Sequence, residues 1–261
     1  MASDLFSVKD QIVVVSGASR GIGRAIAQAF VDAGATVVIT GRVAETVKKT
    51  AQEMTRGDGQ AVAKTCDVSD LKAIGPFVEE VIAEHGRIDT LVNCAGVNNR
   101  KKIEDYSLEE YDFITNINIK GAFVMSQAVG RHMIEAGSGS IINIDSINSH
   151  TPLKHVGPYA MSKAAMKQMT KVMAMEWGPH NVRVNGIGPG FTQTELASTL
   201  WDDEKMAQWR NENIPMGRVA DPEDMAGTVV YLASKAAKYV TGQTIYIDGG
   251  TLSGLFWPIP D

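Results

Sequence analysis

The sequence predicts an α/β fold: a doubly wound parallel sheet with helices on both faces. Three observations lead there. Seven short runs rich in β-branched residues alternate with longer amphipathic stretches, and parallel strands need such crossovers, which wind right-handed. A glycine-rich turn directly follows the first run. The residues with evident chemistry stand just after the runs, at the edge where a doubly wound sheet gathers its ligands.

Taken in order, the strands are expected at 11–16, 36–40, 61–65, 88–93, 140–145, 183–187 and 244–247. Helical length and apolar spacing place helices at 21–33, 44–54, 71–85, 108–135, 156–177 and 223–233. With 261 residues, 44% of them apolar, the chain fits one domain spanning 1–261, without a linker or an internal repeat. A net charge of −5 argues against nucleic acid as the main partner, because phosphate binding needs a basic surface. Residues 1–10 lack the charged start and apolar core of a signal peptide, and no apolar run reaches the roughly 18 residues of a membrane helix. A soluble cytoplasmic protein with no membrane partner is therefore expected. Cys66, Cys94 and the five histidines show no metal-ligand spacing, so no metal is expected.

The turn Ser16-Gly17-Ala18-Ser19-Arg20-Gly21-Ile22-Gly23 leads from the first strand into a helix beginning near Ile22. Gly17, Gly21 and Gly23 let the backbone approach a pyrophosphate, and the helix amino terminus then faces the anion; Ser19, Arg20 and Ile22 share that turn. The spacing Gly-x-x-x-Gly-x-Gly departs from the commonest dinucleotide fingerprint, but its place after the first strand favours a nucleotide over a plain tight turn. Sites that prefer NAD carry an acid at the end of the second strand. Here Arg42 stands there instead, suited to gripping a 2′-phosphate, with Arg20 as a second charge-assisted donor. NADP(H) is the favoured cofactor and NAD(H) stays open, since both arginines also read as solvated surface residues and Glu45 is close enough in sequence to neutralise Arg42. Asp67, beside Val68 at the end of the third strand, is expected at the adenine, while Asp70 suits a helix cap. Asn93, Ala95 and Gly96 end the fourth strand with mostly small residues that admit a ribose.

Tyr159 and Lys163 lie one helical turn apart on one face. A phenol with a reference pKa of about 10 is a poor acid or base at neutral pH, and a nearby ammonium stabilises its ionised form. Tyr-x-x-x-Lys alone is an ordinary helical pairing. Ser146, thirteen residues upstream at the end of the fifth strand, places a hydroxyl where it can meet the tyrosine.

Over about residues 5–250 the chain resembles the classical short-chain dehydrogenases/reductases. The ordered set consists of Gly17-x-x-x-Gly21-x-Gly23, Asn93-x-Ala95-Gly96, Asn118, Ser146, Tyr159-x-x-x-Lys163 and Pro189-Gly190. The resemblance implies a Rossmann-like sheet in the order 3-2-1-4-5-6-7, a nicotinamide cofactor and a homotetramer. It makes Tyr159 the general acid–base, Ser146 the holder of the substrate oxygen, Lys163 the ligand of the nicotinamide ribose, and Asn118 the holder of a relay water. Pro189, Gly190, Thr192 and Thr194 would face the nicotinamide. The pattern is broken at Ser16, where threonine is usual, at Cys94, where a second asparagine is usual, and at Asp145, where serine is frequent. Asp145 reads as either a buried hydrogen-bonding anchor or a subunit-contact residue.

Substrate choice is expected from a lid at about 191–215 carrying Trp201, Met206 and Trp209. Asn98, Asn148, His150 and His155 flank the catalytic strand ends, with Ser146 and Tyr159, and imply a polar pocket. Arg100, Lys101 and Lys102 read as a solvated charge run. An apolar tail at 251–261 is expected to pack across a subunit interface, bringing Trp257 to a neighbour's pocket. The expected function is hydride transfer between NADP(H) and a small polar carbonyl or alcohol: a sugar, sugar acid or polyol. The alternatives are reduction of a 3-oxoacyl thioester or another ketone, and a non-catalytic dinucleotide-binding protein, the last opposed by the intact Ser146, Tyr159 and Lys163.

Overall fold

The computed structural model describes residues 2–54, 58–194, 201 and 203–254. Its strands are β1 (Ile12–Ser16), β2 (Thr36–Gly41), β3 (Gln60–Thr65), β4 (Thr90–Asn93), β5 (Gly139–Ile144), β6 (Val182–Pro189) and β7 (Thr244–Ile247). They form one sheet in the order β3-β2-β1-β4-β5-β6-β7, and every pairing is parallel. The expected α/β class and strand order are thus observed.

Parallel strands covered on both faces read as unbroken apolar runs, and β1 is buried at all five positions. Alternation divides its side chains between two cores. Val13 and Val15 join Phe30, Ile39 and Val229 on one face. Val14 joins Phe77, Leu91, Met125 and Ile141 on the other.

The helices are α1 (Ala2–Leu5), α2 (Gly21–Asp32), α3 (Ala44–Met54), α4 (Leu71–His85), α5 (Leu108–Thr115), α6 (Ala122–Ala136), α7 (Gly157–Trp177), α8 (Glu204–Asn213) and α9 (Ala226–Ala233). Asp70 caps α4 by accepting the Lys72 N–H at 3.1 Å, the role its sequence position suggested. Ser107 and Glu110 form a reciprocal capping box at the start of α5.

One expected helix is corrected. The stretch 108–135 is interrupted by a π-helical segment, Asn116–Gly121, between α5 and α6. Local apolar periodicity did not register the tertiary bonds that set it. Asn118 grips the backbone of Val97, and a Cβ on Gly121 would stand 2.5 Å from the Val68 carbonyl oxygen, so the widened turn lies tight against the ends of two strands. The helix expected at 223–233 opens as a 3-10 turn, Pro222–Met225, before α9. Among the described residues no helix is long and apolar enough to cross a membrane, and no cluster of His, Cys, Asp and Glu is arranged to hold a metal.

Behind the site, a buried polar chain ties β4, β5, α6 and α7 together. Asn93 Nδ2 donates to Ser126 Oγ at 2.8 Å and to Asn143 Oδ1 at 2.9 Å, and Asn143 Nδ2 donates to Thr170 Oγ1 at 2.8 Å. Asn143→Ala strands these partners in a dry interior. It should lower stability by about 2–3 kcal/mol in urea unfolding, and an unchanged midpoint would contradict the chain's importance.

Candidate active site

β1 empties into the glycine turn, which lies against the loop after β4. A Cβ on Gly17, whose φ is +69°, would stand 2.7 Å from Ala95 Cα, and one on Gly23 would stand 2.4 Å from the Gly17 carbonyl oxygen. Only glycine permits that packing. Ser16 Oγ accepts the N–H groups of Cys94 at 3.1 Å and Ala95 at 3.3 Å, so its hydroxyl holds the loop that Cys94 left in question. The N-cap of α2 is Arg20 in extended conformation with no side-chain cap, which leaves the first N–H groups, from Gly21 through Gly23, available to an anion.

Arg20 and Arg42 are exposed and paired with no described residue; Glu45 does not neutralise Arg42. Ser19 Oγ faces Gly41, 3.7 Å from where a Cβ would be. Asp67 Oδ1 accepts from the N–H and hydroxyl of Ser69 at 2.9 and 2.8 Å, so one carboxylate oxygen is spent on a local turn beside the buried Val68. The Asn93 amide points into the interior, which leaves the strand end's backbone, with Ala95 and Gly96, as the surface toward a ligand.

The catalytic candidates gather at the ends of β4 and β5. Asn118 is fully buried; its Nδ2 donates to Val97 O at 2.9 Å and Ser162 Oγ at 3.0 Å, and its Oδ1 accepts the Val97 N–H at 2.8 Å. Both edges of that amide are therefore used as a clamp. A Cβ on Gly96 would stand 3.5 Å from Asn118 Oδ1 and 3.8 Å from Lys163 Nζ, so these three residues adjoin. Lys163 is 4% exposed; its Nζ donates to Ile144 O at 2.6 Å and lies 5.7 Å from the centre of the Tyr159 ring. The half-buried Tyr159 hydroxyl has no hydrogen-bond partner among the described residues.

Helix α7 packs on the 3-10 turn Ile147–Ser149, which Ser146 caps. Ser146 Oγ accepts from the Asn148 N–H at 3.1 Å and from Asn148 Nδ2 at 3.2 Å. With both lone pairs occupied, its own proton is left to donate. Asn148 Oδ1 in turn accepts the Leu153 N–H at 3.0 Å, which makes this residue a tether of the serine rather than a free pocket group.

The remaining expected residues are spread more widely. Gly190 approaches the end of β7 so closely that a Cβ would stand 2.7 Å from Asp248 Cα. Beyond Pro189, Thr192 bridges to Ala220, and the Thr194 methyl would lie 3.6 Å from a Cβ on Gly21, so this segment crosses the glycine turn. Trp201 is 8% exposed and packs edge-on against Phe191 at 5.6 Å, with Trp209 on the same ring at 5.0 Å. Asn98 is exposed, and His150 is exposed with its ring tilted against that of Tyr246, centres 5.9 Å apart. Lys101 pairs with Glu110 at 2.5 Å, whereas Arg100 and Lys102 are exposed. Trp257 and the tail beyond 254 lie outside the described residues, as do 195–200 and 202 of the expected lid.

Sequence reading missed one group behind the serine. Asp145 is 3% exposed, the buried-anchor alternative of the two open to it; its Oδ2 accepts from Ser149 Oγ at 2.9 Å, which meets Tyr246 Oη at 3.0 Å, which meets Lys167 Nζ at 2.9 Å. The sequence offered two signals, the departure from the family pattern at Asp145 and Lys167, a single helical turn beyond Lys163.

Comparison with known proteins agrees with this geometry. A family model described as enoyl-(acyl carrier protein) reductase matches residues 17–251. The chain is 38% identical to gluconate 5-dehydrogenase of Gluconobacter oxydans, covering 95% of this chain and 96% of that one. It is 39% identical to an NAD-dependent glycerol dehydrogenase of Listeria innocua, with 94% and 95% covered. A solved gluconate 5-dehydrogenase from Burkholderia cenocepacia, in complex with NADP and tartrate, superposes with a TM-score of 0.94 at 33% identity, covering 98% of this chain and all of that one.

Gly23→Ala drives a methyl group into the Gly17 carbonyl and opens the turn. Nicotinamide dinucleotide affinity, measured by calorimetry, should fall at least about tenfold; unchanged affinity would remove the turn from the binding site.

Proposed function

The chain belongs to the short-chain dehydrogenase/reductase family, and we propose that it interconverts the alcohol and ketone of a sugar acid using NADP(H). One observation carries the reading: the buried Lys163 Nζ is bonded to Ile144 O and lies 5.7 Å from the Tyr159 ring centre, while Ser146, two residues beyond Ile144, keeps an uncommitted proton.

The cradle fits a dinucleotide. Gly17, Gly21 and Gly23 with the open amino terminus of α2 would hold the pyrophosphate, and Arg20 and Arg42 the 2′-phosphate. Asp67 and Val68 would border the adenine, Asn93 to Gly96 and Lys163 the ribose, and Pro189 to Thr194 the carboxamide. A bound nicotinamide supplies the hydride acceptor or donor.

The protein's own residues manage the proton. In the oxidative direction Ser146 donates a hydrogen bond to the substrate oxygen and Tyr159, as phenolate, takes the hydroxyl proton as the carbonyl forms. In reduction Tyr159 returns that proton. Lys163 favours the phenolate by its charge, and Asn118 fixes the Val97 backbone beside it. The sugar-acid preference is supported by the gluconate relatives, and NADP by the free Arg42 and by the nucleotide held in the Burkholderia protein. Copies of the chain assemble, as a homotetramer, through the face of α6 and α7, where Phe123 and Val172 are exposed near Val124, Met169 and Trp177.

Turnover of gluconate, polyols and 3-oxoacyl thioesters, followed by nicotinamide absorbance, tests the activity. Sugar acids should be used best, and Tyr159→Phe should lower kcat about 10²- to 10⁴-fold while cofactor affinity holds. Arg42→Ala should weaken NADP binding about tenfold or more and leave NAD binding alone. Preferential use of thioesters, or NADH preference unaffected by Arg42→Ala, would contradict the substrate and cofactor assignments respectively. Sedimentation should give a species of four chains; a monomer would contradict the assembly.

A further inference from the structure

The group behind Ser146 is a one-way chain of hydrogen bonds. Lys167 has only protons to give, so it donates to the Tyr246 oxygen, at 2.9 Å. Tyr246 then donates to Ser149, at 3.0 Å, and Ser149 to Asp145 Oδ2, at 2.9 Å. An ionised Asp145 can only accept, and so fixes that order. A carboxyl protonated on Oδ2 would itself donate to Ser149, whose proton would turn to the Ser146 carbonyl oxygen, already 2.8 Å away.

The chain is built into the fold. The Tyr246 ring lies across β6 where Gly188 has no side chain; a Cβ there would stand 2.3 Å from the ring. The Asp145 N–H donates to Ile187 O at 2.7 Å, fixing the residue at the end of β5. Its Oδ1 is buried with no hydrogen-bond partner among the described residues.

The charged and titratable groups facing this carboxylate are Lys163 and Lys167 from α7 and Tyr246 from β7, with His150 behind the Tyr246 ring. Lys163 Nζ bonds to the carbonyl oxygen of the preceding residue, Ile144, at 2.6 Å, which brings its charge to bear on the carboxylate. Burial pushes the Asp145 carboxyl up to about 6, against the pull of Lys163 and the Ser149 hydrogen bond, so it is charged at pH 7 and neutral well below 6.

Resting on the roles given above to Tyr159 and Lys163, we propose that Asp145 is a positioning residue for this reaction. Its buried carboxylate tempers the positive charge that Lys163 presents to Tyr159 and, through Ser149, orients the turn carrying Ser146. Removing the negative charge leaves Lys163 less compensated, which favours the phenolate. The ionisation of Tyr159 should therefore move to lower pH.

The test is the near-ultraviolet absorbance of tyrosinate against pH, with Tyr159 isolated by subtracting the matching Tyr159→Phe protein. The Tyr159 midpoint in Asp145→Asn should lie about half a unit or more below that of the unsubstituted protein. Asp145→Ser replaces that variant should the amide fail to fold, with the same expected shift. Tyr246→Phe breaks the chain but keeps the carboxylate, and should leave the midpoint in place. An unmoved midpoint on loss of the carboxylate, or an equal shift with Tyr246→Phe, overturns the proposal. The readout needs no substrate, so a protein that turned over no sugar acid would still show the shift.

Discussion

A lysine ammonium taken out of water must find compensation where it lands, and at Lys163 the compensation is specific. The end of β5 supplies it twice: the Ile144 carbonyl oxygen receives a hydrogen bond at 2.6 Å, and the next residue, Asp145, brings a buried negative charge. That bond fixes the helix α7 against β5 in one register. Tyr159, one turn before Lys163, and Ser146, two residues beyond Ile144, are consequently carried to the same end of β5. With the Asn143 to Thr170 bond farther along the same two elements, the Lys163 bond keeps the phenol and the serine aligned.

The parallel sheet makes this possible by bringing strand ends to one edge, and the small residues there let the edges close up. Gly17 and Ala95 bring the ends of β1 and β4 together, Gly96 lies against Asn118 and Lys163, and Gly190 meets Asp248 at the end of β7. Side chains at these positions would fill the space through which the backbone reaches a ligand. The polar interior behind them, running from Ser126 through Asn93 and Asn143 to Thr170, gives the same edge rigidity from below.

What was legible in the sequence was what neighbours in the chain decide. Buried parallel strands announce themselves as apolar runs, the glycine turn follows β1 directly, and Tyr159 and Lys163 share a helix face by spacing alone. The interruption at Asn116–Gly121 was hidden because its cause is Val97, some twenty residues earlier and on a different element. Asn148 was read as facing substrate, yet its bonds to Ser146 and Leu153 are local ones that an extended loop would not make. The Lys167, Tyr246, Ser149 and Asp145 chain joins three separate elements, α7, β7 and the turn after β5, and only the fold brings them together.

The most direct test of the central claim is a crystal structure of the chain with NADP and a sugar acid. The account predicts the reacting oxygen of the sugar acid within about 3 Å of both Tyr159 Oη and Ser146 Oγ, with Lys163 still bonded to Ile144. A sugar acid seated elsewhere, or a Tyr159 hydroxyl turned away from that oxygen, would contradict it.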